Sequence, residues 1–160
     1  MKLAVLTPLW RRPEIASIFK QGILGNQRYL RGKGIELELF TVLSPEDPNY
    51  SELKELFPNS VECSNEFLGR KKNFGLTQAL NKDWDYLLEL GSDDILSNKY
   101  FDIIDWDSLF FGMYQVFMFD WFAKELYLMK GYKWKDVLGG GRFIHRRLCH
   151  QNLWADHVRS

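Results

Sequence analysis

Two adjacent acids, Asp93 and Asp94, are the residues of this sequence best suited to chemistry. They follow the apolar run at residues 86–90, separated from it only by Gly91 and Ser92. Two neighbouring carboxylates just past a buried segment cannot both point into a core, and carboxylate oxygens are the ligands that Mg²⁺ and Mn²⁺ prefer. The pair predicts a divalent-metal site, with capping of the following turn as the alternative.

Cations form two further candidate clusters. Arg70, Lys71 and Lys72 stand directly before Asn73, and a second pair lies at residues 11–12. Cations at a helix start can neutralise a diphosphate, helped by the free N–H groups there. A solvated charged face is the commoner origin of such a run. Phosphate binding therefore needs support from the surrounding elements.

The hydrophobic pattern supplies elements that can bring these residues together. Residues 1–95 predict a β-α-β-(α)-β-α-β order, with strands at 3–7, 35–43, 61–63 and 86–90, a short helix at 51–57, and a loop entering a helix at 68–80. A helix opening at Pro13 presents one apolar face, made of Ile15, Ile18, Phe19, Ile23 and Leu24. This alternation predicts a mostly parallel sheet flanked by helices, whose ligands bind at the carboxyl ends of the strands. The segments to consider are then 7–12, 44–47 and 91–94.

The second half of the chain has a different pattern. Aromatic-rich runs at 113–119 and 125–129 surround a turn and predict a β-hairpin. The uncharged stretch at 108–119 is too short for a membrane span and is interpreted as core. The glycines at 139–141 lack both dinucleotide and phosphate-loop spacing, so a turn or mobile loop is expected.

Composition narrows the function classes. The chain has 160 residues, with 21 Lys+Arg against 21 Asp+Glu, and this neutral balance argues against a general nucleic-acid binder. A hydrophobic content of 46% indicates a globular protein, and the length favours a single domain over residues 1–160. Two cysteines make no disulfide framework, so the cytoplasm is the expected compartment.

Four segments, taken in order, resemble the family 2-like glycosyltransferases with a GT-A fold. They are LAVLTPLWRRP at 3–13, TVLSPED at 41–47, GRKKNFG at 69–75, and LLELGSDD at 87–94. The last corresponds to the family's D-x-D-D motif. The resemblance covers residues 1–95 and implies a nucleotide-sugar-binding half there, with residues 96–160 as an acceptor half.

The resemblance also implies roles for individual residues. Asp93 would contact a Mn²⁺ or Mg²⁺ ion on the donor diphosphate, with Asp94 supporting it, and a late acid, Asp156, would serve as general base. Resemblance and strand-end position together give a set of expected nucleotide-binding residues, namely Thr7, Pro8, Trp10, Arg11, Asp47, Arg70, Lys72, Asn73 and Ser92. The implied reaction is transfer of a sugar from a nucleotide-diphosphate sugar to a hydroxyl acceptor.

Two departures from the family pattern keep other functions open. Gly91 replaces the first acid of D-x-D, and no late Glu-Asp pair follows residue 94. A non-catalytic nucleotide- or glycan-binding protein is the first alternative. A nucleotidyltransferase is the second, although the Gly-rich loop that normally follows its first strand has no counterpart at 6–9. An interaction protein using its aromatic surface is the third.

Overall fold

The computed structural model describes residues 1–120, 122–130 and 140–155 of the chain. Within these ranges the chain forms three α-helices and eight strands, in the order β1 Lys2–Pro8, α1 Pro13–Arg31, β2 Glu36–Leu43, α2 Tyr50–Leu56, β3 Val61–Glu62, α3 Leu68–Leu80, β4 Tyr86–Glu89, β5 Phe110–Phe111, β6 Gln115–Asp120, β7 Glu125–Lys130 and β8 Arg142–His145. Short 3₁₀ helices span Asn98–Asp102 and Arg146–Leu148. The cations at 70–72 lie inside α3, in its first turn, rather than in the loop expected before it.

The main sheet has six strands in the order β3-β2-β1-β4-β8-β5. β1 pairs in parallel with both β2 and β4, β2 pairs in parallel with β3, and β8 runs antiparallel to β4 and β5. The chain moves outward from β1 to β3 and then returns through α3 to β4 on the other side of β1. The topological switch point therefore lies between β1 and β4. The predicted fold class, a mostly parallel sheet flanked by helices with a hairpin in the second half, is confirmed.

Alternation along the strands divides the apolar residues between the two faces of the sheet. In β1, Leu3 and Val5 belong to one buried cluster with α1 and α2, and Ala4 and Leu6 belong to a second with α3. α3 sits close to the sheet, because a Cβ on Gly75 would lie 2.5 Å from side-chain carbons of both Leu6 and Val42. Glycine at this position lets the middle of α3 approach β1 and β2 closely.

α1 begins at Pro13 as predicted, but the expected apolar face is partly wrong. Ile18 and Leu24 are each 47% exposed. The buried positions of the helix are Pro13, Ala16, Phe19, Ile23, Asn26 and Leu30. Asn26 keeps its place on this face because its amide nitrogen donates to Leu96 O at 3.1 Å and to the side chain of Asn98 at 2.9 Å. A hydrogen-bonded amide thus replaces an apolar side chain in the helical period.

β6 and β7 form a separate two-stranded hairpin. Phe117 is 70% exposed and Phe119 54%. The interpretation of residues 108–119 as core is therefore wrong, because only the start of that stretch joins the main sheet, through β5. Among the described residues, no helix is both long and apolar enough to cross a bilayer.

Candidate functional site

Segments from the ends of β1, β2 and β4 meet at the carboxyl edge of the sheet. The first two are tied by a 2.6 Å hydrogen bond from the Arg11 amide to Asp47 Oδ2. The first and third are tied by a 3.0 Å ion pair between Arg12 Nη1 and Asp93 Oδ2. The Arg12–Asp93 pair spans the switch point between β1 and β4. The structure thus brings together the three segments that the sequence singled out.

The segment after β1 turns sharply through two arginines. Arg11 and Arg12 both adopt left-handed backbone conformations, with φ of 56° and 53°. Such angles are unfavourable for residues with a Cβ, so the surrounding contacts must hold them. Asp47 provides one such contact and is itself only 5% exposed, with its other oxygen accepting from the Asn49 amide at 2.8 Å. Asp47 therefore fixes the backbone of both loops.

Thr7 and Trp10 offer two different kinds of group at this edge. Thr7 is fully buried, and its hydroxyl is the one buried side-chain oxygen or nitrogen without a hydrogen-bond partner among the described residues. Pro8 follows Thr7 at the end of β1 and is partly buried. The Trp10 ring is partly buried, with the Arg11 guanidinium 5.4 Å and the Lys71 ammonium 5.7 Å from its centroid. Cations against a ring face stabilise it through its quadrupole.

The two predicted metal ligands have different surroundings. The Asp93 side chain is 46% exposed and paired with Arg12. Asp94 is more buried, and Oδ2 of its carboxylate accepts from the Gly91 amide at 2.7 Å. Burial raises the pKa of Asp94, as do the nearby charges of Asp93 and Glu89, whereas the Gly91 amide opposes the shift. Ser92, which precedes both acids, is buried.

Gly91 lies where the two carboxylates converge. A Cβ on Gly91 would lie 2.9 Å from Asp93 Oδ1 and 3.1 Å from Asp94 Oδ2. A side chain at residue 91 would therefore have no space, because the carboxylates of Asp93 and Asp94 already occupy it. Gly140 also lies close to Asp94, since a Cβ there would lie 2.7 Å from Oδ2.

The described glycines of the 139–141 stretch pack against the site. The Gly141 amide donates to the carbonyl of Glu89 at 2.8 Å, and Gly141 has a φ of 73°. Gly140 and Gly141 form a turn, which is one of the two structures expected there, whereas Gly139 lies outside the described residues. The close approach of backbone to carboxylate explains why side chains are excluded here.

These residues fit a metal ion only if a bound molecule supplies further ligands to it. Among the described residues, no group of three or more His, Cys, Asp or Glu side chains is placed to hold an ion. Two hard carboxylates nevertheless converge, and Mg²⁺ in particular is commonly held by one or two carboxylates together with substrate phosphates. The donor set therefore suits a divalent ion that arrives with a diphosphate.

The predicted residues of α3 point in different directions. Arg70 is exposed, paired with Glu66 at 3.1 Å and lying 5.4 Å from the Phe67 ring. Lys72 Nζ forms an ion pair with Glu89 Oε1. The side-chain nitrogen of Asn73 donates to Trp154 O at 2.7 Å, and its oxygen accepts from the Trp154 amide at 3.0 Å. Asn73 thus anchors the segment around residue 154 to α3.

Sequence reasoning missed Glu89, the last residue of β4. Its side chain is only 5% exposed, beside Lys72, and its second oxygen accepts from Trp154 Nε1 at 3.2 Å and lies 3.9 Å from Arg142 Nη1. The signal available was a single acid inside the apolar run YLLEL. Strand alternation places that acid on the same face as Leu87, facing α3.

The remaining features lie away from this edge or outside the described residues. Arg146 does not face the site, because it donates to Lys82 O at 2.6 Å and Leu80 O at 3.0 Å and so covers the C-terminus of α3. The predicted general base, Asp156, lies outside the described residues. Cavities of about 360 and 140 Å³ lie at the amino edge of the sheet, near Leu37 and Trp84, and neither touches the carboxyl edge.

Comparison with known proteins gives structural likenesses only. No family model and no curated protein matches the chain. Among solved structures, S. aureus TarS 1–349 is 18% identical with a TM-score of 0.47, covering 64% of this chain and 30% of that one. The same fragment in complex with UDP-GlcNAc gives 17% and 0.45, covering 64% and 29%.

A third match is a putative nucleotide-diphospho-sugar transferase from Desulfovibrio desulfuricans G20. It is 18% identical with a TM-score of 0.38, and the match covers 57% of this chain and 47% of that one. The chain thus spans less than half the length of each of these proteins. At such identities and TM-scores the likenesses carry no conclusion about activity, so function is argued from the site.

Proposed function

We propose that this chain is a nucleotide-diphospho-sugar transferase of the GT-A type, which moves a sugar from its donor to a hydroxyl acceptor. The observation that carries the proposal is the Arg12–Asp93 pair at 3.0 Å across the switch point. It places a cation and an acid together in the crevice where open α/β sheets bind ligands. Both side chains are about half exposed, so both can exchange partners with a charged ligand.

The acids at the end of β4 would hold a Mn²⁺ or Mg²⁺ ion. Asp93 is the more accessible ligand, and Asp94 is oriented by the Gly91 amide. Such an ion supplies Lewis-acid stabilisation of a diphosphate leaving group. The Arg12 guanidinium, which now neutralises Asp93, is positioned to pair with a phosphate instead.

The residues around Trp10 and Asp47 would bind the nucleoside part of the donor. A partly buried indole offers a face for stacking on a base. The unpartnered Thr7 hydroxyl adds a buried polar group at the same strand end. Pro8, Arg11, Arg70, Lys72, Asn73 and Ser92 remain proposed contacts, as does Asp156 as the proposed base. Asp47 and Asn73 also have structural hydrogen bonds, so their substitution is a less specific test.

Calorimetric titration of the whole chain with UDP and GDP, with and without Mn²⁺, tests the proposal. The expected result is Mn²⁺-dependent binding of at least one nucleotide, which Asp93→Ala abolishes while the circular dichroism spectrum is retained. Lack of binding by any nucleotide under every metal condition would refute the proposal. Persistent Mn²⁺-dependent affinity in Asp93→Ala would refute the assignment of Asp93 alone.

The non-catalytic alternative is favoured by one observation, the occupation of the space at Gly91 by the two remaining acids. Donor hydrolysis separates the two functions, because an active transferase leaks some sugar to water. Incubation with UDP- and GDP-sugars and Mn²⁺ should release free sugar if the chain is an enzyme. Tight nucleotide binding without any release indicates a binding protein.

A further inference from the structure

Lys71 is the most deeply buried charged side chain at the carboxyl edge. It has no exposed surface, whereas its neighbours Arg70 and Lys72 reach solvent at least in part. Its ammonium group has three acceptors: the carbonyl of Leu9, Ser44 Oγ at 2.6 Å, and Asn65 Oδ1 at 3.2 Å. A lysine ammonium has three N–H donors, so its hydrogen-bonding capacity is filled.

These acceptors belong to three different loops. Leu9 follows β1 and immediately precedes Trp10, Ser44 follows β2, and Asn65 lies between β3 and α3. The side chain therefore joins the segment that carries Trp10 to the segment that carries Asp47. The loop after β2 is also joined directly to the loop before α3, because the Glu46 carboxylate accepts from the Asn65 amide.

Burial of Lys71 removes its charged ammonium group from water, which disfavours the charged form. Burial lowers the pKa of its ammonium to about 8, although the negative charges of Asp47 and Glu46 act in the other direction. Lys71 makes no ion pair within the described part of the chain, and a buried cation without one is expensive to maintain. The other buried residues of α3 near it, such as Gly69 and Gly75, carry no charge.

We propose that Lys71 is a positioning residue for the nucleoside part of the donor: it fixes the loops that carry Trp10 and Asp47 at the spacing that a base and ribose need. This inference rests on the proposed function, and it assigns to Lys71 a role separate from that of the acids at 93–94. Lys71 itself does not touch the ligand, because its side chain is enclosed.

Lys71→Met is the test variant, and Lys20→Met is its matched control. Lys20 also donates to a backbone carbonyl, Leu56 O at 2.7 Å, and also lies near a ring, 5.8 Å from the centroid of Phe57, but it joins α1 to α2. Ser44→Ala is a milder second variant, since it removes one acceptor and leaves the cation in place.

Two measurements on the whole chain separate positioning from general stability. The first is amide hydrogen exchange without ligand at pH 7, read at Arg11 and Asn49, whose amides donate to Asp47. The second is affinity for UDP compared with affinity for pyrophosphate, both with Mn²⁺. For Lys71→Met we expect the protection of the two amides and the UDP affinity each to fall about tenfold or more. A change of this size corresponds to the loss of one to two hydrogen bonds. Pyrophosphate affinity and the protection of β1 should stay within about twofold of wild type.

Ser44→Ala should lower loop-amide protection and UDP affinity by less than Lys71→Met does, and Lys20→Met should change neither. Unchanged loop protection together with unchanged UDP affinity in Lys71→Met would overturn the proposal. So would an equal loss for UDP and pyrophosphate, because that pattern indicates general destabilisation. If the wild type binds no nucleotide, the proposed function fails, and the exchange data alone then decide whether Lys71 fixes the loops.

Discussion

The amide of Gly91 donates a 2.7 Å hydrogen bond to the carboxylate of Asp94, three residues further along the chain. The bond holds the Asp94 carboxylate against the backbone at residue 91, where a side chain would have to fit. The local packing therefore depends on glycine at this position. An acid introduced at residue 91 would complete the D-x-D pattern and so suggests tighter metal binding. The packing at Gly91 predicts the opposite.

Gly91→Asp is expected to weaken the site rather than to complete it. Its Cβ would lie about 3 Å from an oxygen of each neighbouring acid, and it would add a third negative charge beside them. We expect a loss of about 1–3 kcal/mol in the free energy of unfolding and no gain in Mn²⁺-dependent UDP affinity. Urea denaturation and calorimetry measure the two effects.

Gly25→Ala is the control for the Gly91 variant, because nothing lies within 4 Å of a Cβ at that helical position. It should stabilise the chain by about 0.5–1 kcal/mol. Increased metal-dependent affinity in Gly91→Asp would show that the acids rearrange readily and that the present packing at Gly91 does not matter.

Thr7→Val should raise stability and lower nucleotide affinity. The buried hydroxyl has no partner in the described residues, so its removal relieves a desolvation penalty of about 1 kcal/mol. The melting temperature should rise by about 2–4 °C. If the hydroxyl is kept for the donor, UDP binding should weaken in the same variant.

Thr41→Val provides the comparison for Thr7, since Thr41 is its partner in the β1–β2 register. Its hydroxyl is hydrogen-bonded to Ser60 Oγ at 2.7 Å. The same substitution should therefore destabilise the chain by about 1 kcal/mol. Equal effects of the two substitutions on stability would contradict the difference in hydrogen bonding.

Lys72→Met should be strongly destabilising, and a second substitution should correct part of the loss. Removing Lys72 leaves the carboxylate of Glu89, whose side chain is 5% exposed, without its principal counterion, a change that typically costs about 3–5 kcal/mol. The double variant Lys72→Met/Glu89→Leu removes both charges and should recover part of that loss, staying about 1–3 kcal/mol below wild type because Trp154 Nε1 loses its acceptor. Urea denaturation of the two single variants and the double variant gives the coupling energy.

Lys2→Met is the exposed counterpart, because the Lys2–Asp83 pair is open to solvent. It should leave the urea midpoint unchanged within error. A double variant as unstable as Lys72→Met would mean that the destabilisation comes from packing and not from the buried carboxylate.

Lys71 should make stability rise with pH in the alkaline range. Its folded pKa, about 8, lies below the unfolded value of 10.5, so between these values the unfolded chain binds more protons and deprotonation favours the folded state. The contribution approaches roughly 3 kcal/mol by pH 10.5 and is fully lost below pH 8. The difference between wild type and Lys71→Met, followed by urea denaturation from pH 7 to 10.5, isolates it. A difference that does not change with pH would contradict the shifted pKa.

Phe143 and Phe117 should respond very differently to truncation. Phe143 is fully buried in β8 and packs edge-on against Phe101 and Trp106, with ring centroids 6.1 and 5.6 Å away. Phe143→Ala should lose about 3–5 kcal/mol of unfolding free energy. Phe117→Ala, on the exposed hairpin, should change it by less than about 0.5 kcal/mol. A large loss for Phe117 in urea denaturation would show that the hairpin is covered in solution.

The sequence predicted the frame of the site well because its signals are local. Apolar runs locate β1, β2 and β4, and their alternation with helices implies parallel strands with a common carboxyl edge. From this it follows that the segments after Thr7, Leu43 and Leu90 meet. The ion pair between Arg12 and Asp93 is a direct result of that topology.

The orientation of single residues could not be predicted in the same way. Arg70, Lys71 and Lys72 are equivalent in type, and only the start of α3 at Leu68 decides which one is enclosed. Gly75 adds to this, because it sets how closely the helix approaches the sheet. The exposure of the hairpin escaped prediction for a related reason, since apolar side chains occur on both of its faces and leave no alternation to assign.

The antiparallel strand β8 also determines when the site can form. Its pairing with β4 joins segments more than 50 residues apart, and the hydrogen bonds of Asn73 with Trp154 span 81 residues. The pairing of β1 with β4 spans 83 residues, as from Leu3 to Tyr86, so both sides of β4 depend on contacts that close large loops. The candidate site is complete only when β4 has gained both neighbouring strands and Glu89 is covered, so a ligand bound there would stabilise the return of the C-terminal half to the sheet.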